Sequence, residues 1–132
     1  MEETQRALAQ PAPYLSPDQV VLIQLQALQE NDTPEPDSGI ATTFRFASPG
    51  NQAATGPLPR FTLLVQGPLY RALLGFTAMQ RGPLVMDGDA QATQSVLIQG
   101  ADGKTAVYVW ALSRQPSGPY EGCWMTDAVL RA

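Results

Sequence analysis

The chain contains no histidine and a single cysteine, Cys123, in 132 residues. Without histidine, the usual general base near neutral pH and the commonest metal ligand are both missing. Histidine-based catalytic triads, two-histidine zinc sites and facial iron triads are therefore excluded. One cysteine can close neither an intrachain disulfide nor a CxxC redox pair, and nothing around Cys123 resembles a thiol nucleophile with its base, so a reducing compartment is expected. Charge is also scarce: 15% of residues are charged, 8 basic against 12 acidic, for a net charge of −4. The bases are Lys104 and arginines spread singly at Arg6, Arg45, Arg60, Arg71, Arg81, Arg114 and Arg131, so no basic stripe exists for nucleic acid or an anionic membrane. The densest apolar runs, Val20 to Ile23 and Val107 to Leu112, are far below spanning length, and the acidic start from Met1 to Arg6 leads into no apolar signal core. A soluble protein is expected, without nucleic-acid or membrane partners, cytoplasmic or, in a plant or alga, in the plastid stroma.

What is present is enough for one core. With 44% hydrophobic residues, the length favours a single compact domain that needs no disulfide or metal staple. Residues 1–15, with Gln-Pro-Ala-Pro at 10–13, read as a flexible tail, and residues 16–132 as the domain. Ser16-Pro17-Asp18-Gln19 is a capping-box start with proline at the first helical position. Val21, Leu25 and Leu28 then recur at i, i+4 and i+7, which turns Gln24, Gln26 and Glu30 toward water or the rim and ends the helix near Asn31-Asp32. The two prolines of Thr33 to Gly39 forbid helix, and Asp37 or Ser38 caps a second helix running to about Ala47. A Gly/Pro-rich loop spans Ser48 to Pro57. From Pro59 to Gly75 the apolar spacing predicts a third, kinked helical region, interrupted at Gly67-Pro68.

After Gly75 the period changes to two. Strands are expected over Phe76 to Arg81, Leu84 to Asp87, Thr93 to Gln99, Thr105 to Arg114 and Cys123 to Leu130, with a hairpin turn at Ala101-Asp102-Gly103-Lys104. Helices first and an antiparallel meander afterwards predict an α+β fold, N-terminal helices packed on a curved antiparallel sheet. In the fourth strand both alternating sets are apolar, Val107/Val109/Ala111 and Tyr108/Trp110/Leu112, so both faces need a cover. Helices supply one cover; a second subunit or a bound ligand is the economical other.

The run from Gly39 to Asn51, then Thr55-Gly-Pro-Leu-Pro-Arg-Phe61, Tyr70 before Leu73-Leu74, Leu112-Ser-Arg-Gln115, Gly118-Pro-Tyr120 and Gly122-Cys-Trp-Met-Thr-Asp127 together resemble the domain-of-unknown-function family 4864, in particular its branch from photosynthetic organisms. The resemblance covers roughly residues 17 to 130. It implies the cone of nuclear transport factor 2-like or cystatin-like proteins, in αααββββ order, commonly dimeric, and it carries over no catalytic residues.

Each chemical candidate has a structural alternative. Asp127, beside Trp124 on the last strand, and Asp32, after the first helix, are the carboxylates an isomerase or dehydratase would use, with Tyr70 as hydrogen-bonding partner. A turn residue at Asp32 and an arginine-paired strand-edge acid at Asp127 are the competing roles. Asp87-Gly88-Asp89 lacks the oxygen ligands of a calcium loop and reads as a turn. Phe44, Phe46, Phe61, Tyr70, Tyr108, Trp110 and Trp124 are candidates for pocket lining, interface or core. Arg45 and Arg114 are candidates for holding an anionic group or for structural ion pairs. The expectation is a cofactor-free and metal-free module, dimeric through its sheet, that binds a protein partner or a small apolar ligand. The alternative is a cofactor-free isomerase or dehydratase using a pocket Asp with Tyr.

Overall fold

The computed structural model describes residues 9–132, so the start of the expected tail, with Arg6, lies outside the described residues. From Ala9 on, the segment lies against the domain: Ala9 and Leu15 pack on the core, and the Leu15 N–H donates to the Ala12 carbonyl at 3.1 Å.

Helix α1 spans Pro17–Gln29 and begins as its sequence dictates. The Ser16 hydroxyl accepts from the Gln19 N–H, the Gln19 amide oxygen accepts from the Ser16 N–H at 2.8 Å, and Pro17 occupies the first turn where its missing donor is harmless. Val20, Val21, Leu25 and Leu28 are buried, each removal from water stabilising the fold by roughly 1.5–3 kcal/mol. Gln24 corrects the sequence reading. It sits three residues after Val21 and four before Leu28, hence on the apolar face, and it is completely buried, while Gln26 and Glu30 are exposed.

Helix α2 spans Ser38–Arg45. Its N-cap position is Asp37, but that residue has φ +60° and its side chain makes no cap bond. Asn31 caps α2 instead: its carbonyl accepts from the Gly39 N–H and its side-chain oxygen from the Ile40 N–H, both at 2.9 Å. The Asp37 carboxylate is turned back to the Asn31 amide and to Gln66. The expected loop at 48–57 also contains a helix, α3 (Pro49–Thr55). Ser48 and Pro49, expected to open the loop, are its N-cap and first residue, the Ser48 hydroxyl accepting from the Asn51 N–H at 3.4 Å. Helix α4 (Leu58–Gln66) stops at Gly67, and a single 3-10 turn, Arg71–Leu73, follows, matching the expected kinked region.

The strands are β1 (Ala78–Arg81), β2 (Val85–Asp87), β3 (Gln91–Gln99), β4 (Thr105–Arg114) and β5 (Trp124–Arg131), all antiparallel. They are not a simple meander. The order is β1-β3-β4-β5, with β2 also on β3, so β1 and β2 lie end to end along one edge of β3. Pro83 has no N–H for a ladder, which breaks the strand, while the Gly82 N–H donates to Ser95 O at 2.8 Å and keeps the chain on β3. Residues of β3 alternate exposed and buried. On β4, Tyr108, Trp110 and Leu112 are buried with the helices, while Val107, Val109 and Ala111 lie half-buried on the other face. The architecture is α+β, four helices followed by a curved five-stranded sheet.

Gly39 fixes how closely α2 crosses α1. A Cβ there would collide with the Ala27 carbonyl and stand 2.8 Å from the Asn31 Cα, both backbone atoms that cannot rotate away. Gly39→Ala is expected to cost about 3 kcal/mol or more by this overpacking; urea unfolding of the variant beside wild type measures it.

Candidate functional site

Between the helices and β5 lies a cavity of about 290 Å³ with predominantly apolar walls. Its floor is the inner face of β4 and β5, chiefly Trp110, Thr126 and Val129. Its roof comes from Leu28 of α1, Phe61, Leu64 and Val65 of α4, and Leu73 of the 3-10 turn. The tilted contact of Phe61 with Phe44, ring centroids 5.0 Å apart, fixes the α4 side of that roof against α2.

The polar groups of the cavity are bonded to one another. The Trp110 indole N–H donates to the Gln24 side-chain oxygen at 3.3 Å, and the Gln24 amide donates to Thr126 Oγ1 at 2.8 Å and to Val20 O at 3.2 Å. Thr126 is also a backbone junction. Its N–H donates to Phe46 O, and its carbonyl accepts from the Ser48 N–H, both at 2.8 Å, and from the Asn51 amide at 3.1 Å. These bonds form a parallel bridge between β5 and the α2–α3 connection, so the inner half of this edge strand is closed. Thr43 and Thr55 hydroxyls donate to the carbonyls of Gly39 and Asn51 in their own helices.

Asp127 stands at the rim because of a register shift. Ala111 pairs with Ala128 and Leu112 with Thr126, leaving Asp127 as the unpaired residue of a bulge. A bulge re-aims its extra side chain, and here the carboxylate lines the cavity mouth while remaining exposed. Tyr70 lines the same cavity, its hydroxyl donating to Val129 O at 2.8 Å. Its ring stacks on Tyr108, centroids 6.2 Å apart, and the Tyr108 hydroxyl donates to Leu69 O at 2.9 Å. Burial raises the Tyr108 pKa, partly opposed by the nearby Arg131 charge.

The fold thus brings Phe61, Tyr70, Trp110 and Asp127 to one cavity. Asp32 is not among its lining residues; it is exposed and accepts from the Asp37 N–H, shaping the α1–α2 turn. Phe46 and Tyr108 are core residues outside the lining, and Trp124 is buried beyond it. Arg45 donates to Ala9 O and to the Thr42 hydroxyl, and burial lowers its pKa. Arg114 is exposed at the end of β4, opposite Trp124 in register. Cys123 is buried and its thiol pKa is pushed up, which suppresses thiolate chemistry. The sequence reading missed Gln24 and Thr126. The i+3 and i+4 spacing of Gln24 from Val21 and Leu28 was the available signal; for Thr126 no local signal existed, because its partners lie across the fold.

The chain belongs to the family described as Domain of unknown function (DUF4864), whose family model matches residues 16–130. No curated protein and no solved structure matches it.

Gln24→Leu would leave the Trp110 N–H without its acceptor in a buried setting. The substitution is expected to destabilise the domain by about 1–3 kcal/mol and to shift Trp110 fluorescence, both measurable in one thermal melt followed by emission.

Proposed function

We propose that this protein is a non-enzymatic binding module for a small apolar ligand, held in the cavity between α1, α4 and β5. The observation that carries the reading is an apolar-walled space of about 290 Å³ whose floor groups Trp110, Gln24 and Thr126 are bonded to one another. Such a floor offers shape and dryness to a ligand. Catalysis by Tyr70 with Asp127 is less well supported, because the Tyr70 proton is committed to Val129 O and the Asp127 carboxylate stands in water at the rim. Helices over the concave side of a curved sheet also fit the cone of nuclear transport factor 2-like proteins, which we adopt as the fold family.

The neutral probe N-phenyl-1-naphthylamine tests the reading. It is expected to bind saturably at one site per chain, with a rise in its fluorescence and quenching of Trp110. Leu64→Trp, which fills the cavity mouth from a half-exposed position, is expected to abolish that binding without unfolding the domain. A linear, non-saturating response, or one unchanged in the Leu64→Trp variant, would refute the cavity as a binding site.

A separate observation favours self-association through the opposite face of the sheet. Thr93, Ser95, Leu97, Val107, Val109, Ala111, Ala128 and Leu130 form the uncharged centre of that face by register, and Asp87, opposite Gln91, is the charged strand residue at its end. In a two-fold dimer a surface meets its own copy, so any charge near the axis would face its like; a face whose centre on β3, β4 and β5 is uncharged, with Asp87 only at the end of β2, suits a second copy of this chain. Sedimentation should give twice the 14.2 kDa chain mass for wild type and 14.2 kDa for Val109→Arg. A wild-type monomer at micromolar concentration would sink this part of the proposal.

A further inference from the structure

The cavity's polar groups differ in one respect that bears on what it would hold. Trp110, Tyr70, Thr43 and Thr55 each donate their proton to an acceptor inside the protein, and the Gln24 amide donates twice. Thr126 does not. Its hydroxyl oxygen accepts from Gln24, and its proton is donated to no acceptor among the described residues, although the side chain is only 2% exposed. A hydroxyl has one donor and two acceptor sites, so the bond from Gln24 leaves the Thr126 donor unspent, and a buried unspent donor is a cost that a ligand acceptor would remove.

The charges around the cavity add a second constraint. Among the described residues no arginine or lysine lines it, and the one carboxylate that does is Asp127 at the mouth. The cations Arg71, Lys104 and Arg131 line a different cleft, on the far side of the 68–74 segment. A carboxylate ligand would therefore lose its hydration in an apolar-walled space, pass an anionic rim and meet no countercharge.

We infer that the ligand class of this cavity is an uncharged apolar molecule carrying a carbonyl or ether oxygen at its buried end, which accepts from the Thr126 hydroxyl, and that carboxylates are excluded. This inference rests on the proposed binding role, and the experiment separates the two. N-phenyl-1-naphthylamine is displaced from the full chain by butyrophenone, butylbenzene or 4-phenylbutanoate, molecules of similar apolar body that differ in the group each carries. One added hydrogen bond to a buried donor predicts that butyrophenone displaces the probe at about tenfold lower concentration than butylbenzene. At neutral pH 4-phenylbutanoate should be at least about tenfold weaker than butyrophenone, with Asp127→Asn narrowing that gap.

Thr126→Val should bring butyrophenone down to butylbenzene while leaving butylbenzene in place, and Thr126→Ser, which restores the hydroxyl, should keep the ketone preference. If Thr126→Val does not fold, the three-compound comparison on wild type and Thr126→Ser still decides. Failure of the probe itself to bind would overturn the binding role and this inference with it. Saturable probe binding with equal displacement by butyrophenone and butylbenzene, or with 4-phenylbutanoate the strongest, would leave the binding role standing and overturn the inference alone.

Discussion

The bonds converging on Thr126 hold the two layers of this protein together. Strand β5 is a sheet edge, and an edge exposes a row of backbone donors and acceptors that must go somewhere. At Thr126 they go to Phe46, Ser48 and Asn51, which ties the α2–α3 connection to the sheet, while the side chain reaches Gln24 on α1. Three helices are thus referenced to one residue.

The next residue shows how a small departure from regular pairing places a functional group. Had β5 continued in register, Asp127 would have alternated onto the outer face of the sheet. The bulge opposite Ala111 and Leu112 removes it from the ladder and sets its carboxylate at the cavity mouth. Further along, the Tyr70 hydroxyl takes the Val129 carbonyl and the Tyr108 hydroxyl takes that of Leu69, so the stacked tyrosine pair pins the 3-10 turn to the helix-covered side of the sheet. That turn divides the apolar cavity from the cationic cleft, since Tyr70 and Leu73 face the one while Arg71, Ala72 and Leu74 face the other. Adjacent residues of one short segment therefore serve environments of opposite character.

Strand β4 shows the same division of labour across the sheet. Its large residues, Tyr108, Trp110 and Leu112, fill the space under the helices, where each buries most area, and its smaller ones, Val107, Val109 and Ala111, form a flatter outer surface. Small apolar and uncharged polar side chains at the centre of that face permit close approach by another sheet, whereas the aromatic face is already in use.

Much of the fold was legible in local sequence. The capping box at Ser16 set the start of α1, the change of period after Gly75 separated helices from strands, and the alternation in Thr105 to Arg114 marked a central strand, because each signal depends on residues within one or two turns of each other. Where reading failed, the cause was a competing local rule: Ser48-Pro49 ends one helix and begins another, and Asp37 occupies a cap position whose bond Asn31 makes instead. The cavity was legible only as candidates. Phe61, Tyr70, Trp110 and Asp127 are singled out by residue type, but nothing local says that they meet or that Asp32 stays apart. The sequence by itself determined the class of fold, the order of its elements and the chemistries it lacks, since composition and short-range periodicity suffice for these. Only the tertiary structure decided that Gln24, Trp110 and Thr126 form one buried relay, because hydrogen bonds between residues 86 and 102 positions apart are set by how the helices dock on the sheet and leave no trace in local pattern.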